Sequence, residues 1–168
     1  MPSKVCSLYL IRHAIAEDRS DEWPDDGKRP LTTKGIAKMR EVVAGLAALE
    51  PQIEDVLSSP LVRAKQTADV LLEGLKPAPR LSIVPALAPG GAPAQIAEAL
   101  SGHAGAESLA IVGHEPGLGE LAAWLVGAKT PFAFKKGGIC RIDVAKLPPG
   151  GTGQLVWFAT PKMLRALE

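Results

Sequence analysis

A chain of 168 residues that is 46% hydrophobic and 22% charged has globular composition and enough length to bury a sizeable core, which excludes a mainly disordered or fibrous protein. Nineteen basic residues against eighteen acidic ones leave a net charge of +1. That gives no support to broad nucleic-acid or anionic-membrane binding, although a small local basic cluster would not show in such a total. The aromatic share of 4% is too low for the stacking platforms of single-strand binders. No apolar run approaches membrane-spanning length, and the one near Met1 is too short for a signal segment with its cleavage site. One domain over residues 1–168, monomeric and cytoplasmic, is the expectation.

Residues 5–11 (VCSLYLI) are a short apolar run rich in β-formers, read as a buried strand that stops at Arg12-His13. Residues 17–26 form an acidic loop, with Pro24 and Gly27 as breakers. Arg29-Pro30-Leu31-Thr32-Thr33 leads into a helix with Thr32 or Thr33 as N-cap. Its apolar face takes Ile36, Met39, Val43 and Leu46, joined by Val42 and Leu49, and Pro51 ends it. Residues 55–59 read as a second strand, and Ser59-Pro60 as the N-cap and N1 pair of a helix reaching about Leu75.

A third strand is expected around residues 82–84. A Pro/Gly-rich loop from Pro85 to Pro93 then precedes a helix near residues 94–100. Residues 108–112 form a fourth strand ending in Gly113-His114-Glu115-Pro116, with Pro116 suited to the first turn of a helix lined by Leu118, Leu121, Ala122 and Leu125. Two late strands, residues 139–144 and 154–158, flank a Pro148-Pro149-Gly150-Gly151 turn and read as an antiparallel hairpin. Strands alternating with helices give a three-layer α/β/α fold, its sheet mostly parallel with an antiparallel edge. Cys6 and Cys140 show no ligand spacing and are expected to be buried thiols in strands.

In such sheets, function gathers where strands end and helices begin. Arg12-His13 follow the first strand, Arg63 falls in the first turn after Ser59-Pro60, and His114 follows the fourth strand. Two imidazoles and two guanidiniums on one rim would make an anion site with a nucleophile in it, because arginine offers forked, permanently charged donors to phosphoryl oxygens. The positive neighbours would also keep His13 neutral, and so nucleophilic, near pH 7. Each group alone has an ordinary structural reading. An arginine in a first helical turn even opposes the helix dipole, a cost that a bound anion would relieve.

These residues carry a resemblance. Leu10-Ile11-Arg12-His13-Ala14, the run from Ser58 to Ala68 (SSPLVRAKQTA) and Val112-Gly113-His114-Glu115-Pro116-Gly117-Leu118 resemble, in order, three motifs of the histidine phosphatase (phosphoglycerate-mutase-like) superfamily. The short chain, the Arg29-Pro30-Leu31-Thr32 loop and Lys136-Gly137-Gly138 look most like its SixA-type phosphohistidine phosphatases. The resemblance implies a phosphoglycerate-mutase-like fold and a metal-independent phosphatase without cofactor, the guanidiniums and an imidazole supplying the positive charge. By the same resemblance His13 is the nucleophile that becomes phosphorylated, Arg12, Arg63 and His114 bind the phosphoryl group, and Arg29 joins the pocket. The implied partner is a protein bearing phosphohistidine. The alternatives are a small phosphate ester as substrate, or a phosphate-binding module with weak turnover.

The chain departs from the family in three places, one of them Ile15, near where larger members often carry a polar residue. Ala14 stands where many relatives have glycine, a change that a negative φ would accommodate. No confident equivalent of the acid that protonates an alkoxide leaving group is present; Glu115, Asp18 and Asp21 are the candidates, against a plain reading of the acidic loop as solvated. A metal hydrolase using His13, His103 and His114 finds no HxH or HExxH spacing, and the Pro89–Pro93 stretch lacks the GK[ST] ending of a phosphate-binding loop. Lys135-Lys136 would either fringe an acidic protein substrate or simply be solvated.

Overall fold

A computed structural model describes residues 5–149 and 152–168. The expected turn at Gly150-Gly151 and the stretch before Val5 lie outside the described residues. In chain order the elements are β1 (Cys6–Arg12), α1 (Thr33–Ala47), β2 (Asp55–Ser58), α2 (Val62–Gly74), β3 (Arg80–Ile83), α3 (Pro93–Ala99), β4 (Ser108–Gly113), α4 (Gly117–Val126), β5 (Ile139–Val144), β6 (Gln154–Ala159) and α5 (Pro161–Arg165). The six strands form one sheet in the order β3-β2-β4-β1-β5-β6. The first four of these run parallel, while β5 is antiparallel to β1 and β6 antiparallel to β5. The α/β architecture with an antiparallel edge expected from the sequence is the one present.

The central strands are apolar on both sides because both faces of the sheet are covered. Along β1, Tyr9 and Ile11 enter a core with α1, α2 and α5, while Cys6, Leu8 and Leu10 enter a second core with α3 and α4. β4 alternates in the same way, Ala110 and Val112 to the first side and Leu109 and Ile111 to the other. Cys6 and Cys140 are free thiols in these cores, and burial pushes them up to about 11 and about 12, so both are inert.

Several local expectations shift by a turn or less. Thr32 is the cap of α1, its hydroxyl accepting from the Gly35 N–H at 2.8 Å. α1 ends at Ala47, before Pro51, so Leu49 falls outside it and is exposed, contrary to its place on the expected apolar face. α2 begins at Val62 with Leu61 as its cap, so Ser59-Pro60 do not open the helix. They form the bend between strand and helix, and this frees the Ser59 hydroxyl for other contacts. The stretch after Pro85 contains a short 3-10 turn, Pro85–Leu87, and Leu100–His103 extends α3 as a second such turn. Among the described residues no helix is long and apolar enough to cross a membrane.

The segment after His13 is fixed against α1. The Thr32 N–H donates to the Ile15 carbonyl at 3.0 Å, and Ala16 bridges to Leu31. A Cβ on Gly35 would lie 2.2 Å from that same Ile15 carbonyl oxygen. Gly35→Ala is therefore expected to destabilise the fold by about 1–3 kcal/mol despite the better helix propensity of alanine. Chemical denaturation measures this, and an unchanged midpoint would show that the helix and the loop are not in fixed contact.

Candidate active site

β1, β2 and β4 all point their C-terminal ends at one rim, and the residues singled out in the sequence lie there. Arg12 closes β1, and His13 follows with its N–H bonded to the Gly113 carbonyl of β4 at 3.1 Å. His114 follows β4 directly. The two imidazole rings face each other with centroids 5.2 Å apart. Arg63 sits buried in the first turn of α2. The structure thus brings His13, His114, Arg12 and Arg63 together, and the charges of both arginines reach both rings.

The strand ends form the rim expected of them, but His13 is only 6% exposed there, as is His114, and the loop from Phe134 to Gly138 folds over the end of β1. Gly137 N–H reaches the carbonyls of Arg12 and His13, and Arg12 N–H reaches the carbonyl of Gly138. Burial has an electrostatic result. It is the largest cause holding His13 down to about 4, with the hydrogen bond to Ala14 opposing and the charges of Arg63, Arg12 and Lys136 adding to it. His114 is held at about 3 by burial first, then by His13 and Arg63. The arginines contribute to this neutrality, as their place in the sequence suggests, but loss of water does more.

Hydrogen bonds then fix which nitrogen of each ring carries the proton. His13 Nδ1 lies 2.7 Å from the Ala14 carbonyl, which can only accept, so Nδ1 is the donor and Nε2 keeps its lone pair. The Ser59 hydroxyl accepts from the Leu61 N–H at 3.2 Å and pairs with His114 Nε2 at 2.7 Å. With the hydroxyl donating its proton there, His114 carries its own proton on Nδ1. Among the described residues, the buried side-chain nitrogens and oxygens without a partner are His114 Nδ1, Arg12 Nε and Arg63 Nε. All three are donors, all three belong to this site, and buried donors are rarely left unspent.

Asp26 is the partner that sequence reasoning missed. From the acidic loop it accepts from Arg63 through its carbonyl at 2.9 Å and its carboxylate at 3.1 Å, and from Arg29 Nε at 3.0 Å. Burial works against its ionisation, but the hydrogen bonds and charges of Arg29 and Arg63 hold its carboxyl below the usual range. Asp26 therefore supplies the negative charge that an arginine at a helix N-terminus calls for. Arg29 gives its other contact, at 2.7 Å, to the Glu17 carbonyl. It orients Asp26, and through it Arg63. Only its place at the end of the acidic run marked Asp26 in the sequence.

The candidate acids fare differently from Asp26. Asp18 and Asp21 are exposed on the loop. Glu115 accepts from the Gly119 N–H at 2.6 Å and the Phe134 N–H at 3.2 Å, so both its oxygens are engaged in holding backbone. Ala14 donates its N–H to Thr67 Oγ1 at 3.0 Å and carries its methyl without strain, since positive φ among described non-glycine residues occurs only at Glu50 and Gln52. His103 lies 3.6 Å from Asp55, which opens β2 at the other end of the sheet. The three histidines do not converge, and no cluster of three or more metal-binding side chains occurs among the described residues.

Comparison with known proteins bears on the family and the fold. The sequence pattern of the histidine phosphatase superfamily (branch 1) matches residues 8–88. An uncharacterized protein of Picosynechococcus sp. is 37% identical over 164 residues, covering 94% of this chain and 98% of its own. The phosphohistidine phosphatase SixA of Escherichia coli is 29% identical over 165 residues, covering 95% and 99%. A structure of the protein histidine phosphatase SixA complexed with tungstate superposes with a TM-score of 0.80 at 27% identity, covering 93% of this chain and 97% of that one.

Two imidazoles kept neutral by burial make stability pH-dependent. In the unfolded chain they protonate near 6.5, in the folded chain only near 4 and 3, so the unfolded state takes up protons first as pH falls. The contribution of the two rings to stability is full above about pH 7 and is lost as pH falls from about 6.5 towards 3. Denaturant unfolding at pH 7.5 and pH 5 is expected to differ by roughly 2–4 kcal/mol. A His13→Gln/His114→Gln double variant should lose most of that difference; if it keeps all of it, the rings are not the source.

Proposed function

The chain is a phosphatase of the histidine phosphatase superfamily, branch 1, and from that membership we propose that it removes phosphate from phosphohistidine in a protein through a phosphorylated His13. The observation that carries the reading is that the buried side-chain atoms left without a partner among the described residues, Arg12 Nε, Arg63 Nε and His114 Nδ1, all belong to residues that neighbour the neutral imidazole of His13 with its bare Nε2. A tetrahedral oxyanion satisfies all three donors, and the phosphorus at its centre meets the nucleophile.

His13 Nε2 attacks phosphorus in line, the bond from phosphorus to the leaving nitrogen breaks, and a phosphoramidate forms on His13. The proton stays on Nδ1, hydrogen-bonded to the Ala14 carbonyl, which disperses the charge that develops on the ring. Arg12, Arg63 and His114 stabilise the equatorial oxygens, which is most of what phosphoryl transfer demands of a protein. Water then attacks the same phosphorus, its proton leaves with inorganic phosphate, and His13 returns to its neutral form. Such a route needs no bound metal.

The leaving group separates phosphohistidine from an alkyl phosphate. An imidazole departs readily once a ring nitrogen is protonated by solvent, whereas an alkoxide needs a placed acid. Glu115 is committed to backbone and Asp18 and Asp21 are exposed, so the carboxyl groups weighed for that role favour the phosphoramidate. The SixA relatives, whose names give phosphohistidine as substrate, point the same way.

Four measurements test the reading. Turnover of a phosphohistidine protein should be abolished in His13→Ala, and full activity there defeats the assignment. Arg63→Ala should lower kcat/KM by about 10²–10³-fold, the effect of removing one preorganised donor from a developing oxyanion. Trapped wild-type enzyme should carry phosphate that survives alkali and is lost in acid, and a panel including alkyl and aryl phosphates should rank the phosphohistidine protein first.

A further inference from the structure

The catalytic pocket has two unlike flanks. On the His114 side a hollow of about 340 Å³ runs under the Leu87–Pro93 loop, and the charged side chains on its wall are Glu115 and Glu120. On the Arg12 side a larger groove of about 480 Å³ lies between α1, α5 and the loop before β5. Its floor is apolar, built from Ile15, Met39, Val42 and Pro161. Its cationic wall is Arg12, Lys38, Lys135, Lys136 and Lys162, joined by Arg165, and no acidic residue lines it.

That concentration is out of proportion to a chain with a net charge of +1. Elsewhere the arginines are neutralised locally, Arg80 by Asp55 and Arg141 by Asp143, and in the groove itself Arg165 is paired with Glu41. The four lysines of the groove make no ion pair among the described residues. Like charges gathered around one hollow repel one another, and an acidic ligand relieves that repulsion as it binds. The groove is continuous with the pocket through Arg12, and the charge of Lys136 reaches His13.

We propose that this groove docks an acidic segment of the phosphorylated protein, with an apolar side chain of that segment on the Met39–Val42 floor and its carboxylates among the lysines. The proposal rests on the phosphoprotein reading above and adds to it the chemistry of the partner and its side of approach. Docking on this flank presents phosphohistidine to His13 across Arg12 and leaves the glutamate-bearing flank empty. The phosphoryl group itself cannot supply this selectivity, since it is the same in every substrate.

The test uses two synthetic phosphohistidine peptides of equal length, one with leucine and glutamates around the phosphohistidine and one with leucine and glutamines. Free phosphoimidazole is the third substrate. The wild-type chain should prefer the glutamate peptide by at least tenfold in kcat/KM, mostly through KM, and rising salt should erode the preference. A Lys38→Glu/Lys135→Glu/Lys162→Glu variant should lose or reverse the preference and still hydrolyse phosphoimidazole within about twofold. The corresponding glutamine triple variant should fall between the two. No peptide preference in the wild type, or a preference that survives in the charge-reversed chain, overturns the proposal. Failure to hydrolyse phosphoimidazole as well would instead strike the phosphatase reading, and binding of the unphosphorylated glutamate peptide, measured by calorimetry, reads the groove independently of turnover.

Discussion

His13 is placed where water is removed from its ring while positive charge stays close, and the rest of the site depends on the imidazole remaining uncharged there. A protonated ring would have no lone pair to offer phosphorus and would repel Arg12 and Arg63. Burial secures the neutral form, and the Ala14 carbonyl then chooses the tautomer. The same two devices, burial and one hydrogen bond, set His114 through Ser59. One ring is thereby left with an acceptor to use and the other with a donor, although the residues are of the same type a few ångströms apart.

The positive groups need a counterweight before any substrate arrives, and the structure provides it at one remove. Asp26 holds Arg63 on one side of its guanidinium and leaves Nε free, while Arg29 holds Asp26. An arginine fully satisfied by protein would have nothing to give a phosphoryl oxygen, and one left wholly free would not stay in place. Sharing a single carboxylate between two arginines meets both demands. The fold contributes by ending β1, β2 and β4 at one level, so that short loops bring remote parts of the chain together.

Much of this was legible in the sequence because it depends on local pattern. Apolar runs marked β1 and β4, the Thr32-Thr33 pair marked the start of α1, and the strand ends marked Arg12, His13 and His114. The depth of the pocket was not legible, since it comes from residues 134–138 closing over β1, a contact more than a hundred positions away in the chain. Asp26 was hidden within an acidic run whose other members are solvated, and nothing local tells which carboxylate turns inward. Ser59 was read as a helix cap because serine before proline usually is one; here the helix starts later and the hydroxyl serves His114. Leu49 fitted the period of α1 but lies past the end of the helix, where periodicity no longer governs burial.

Glu115 is easily passed over once it is seen to have no free oxygen, yet its position has a mechanical meaning. One oxygen grips the first turn of α4 and the other grips Phe134, whose carbonyl in turn receives Arg12 at 2.7 Å. A single carboxylate is thus the rivet between the segment bearing the second imidazole and the backbone that aims the first guanidinium. Residues drawn from opposite ends of the chain keep one shared alignment, and slack introduced at that joint would spread to both sides of the anion cradle at once.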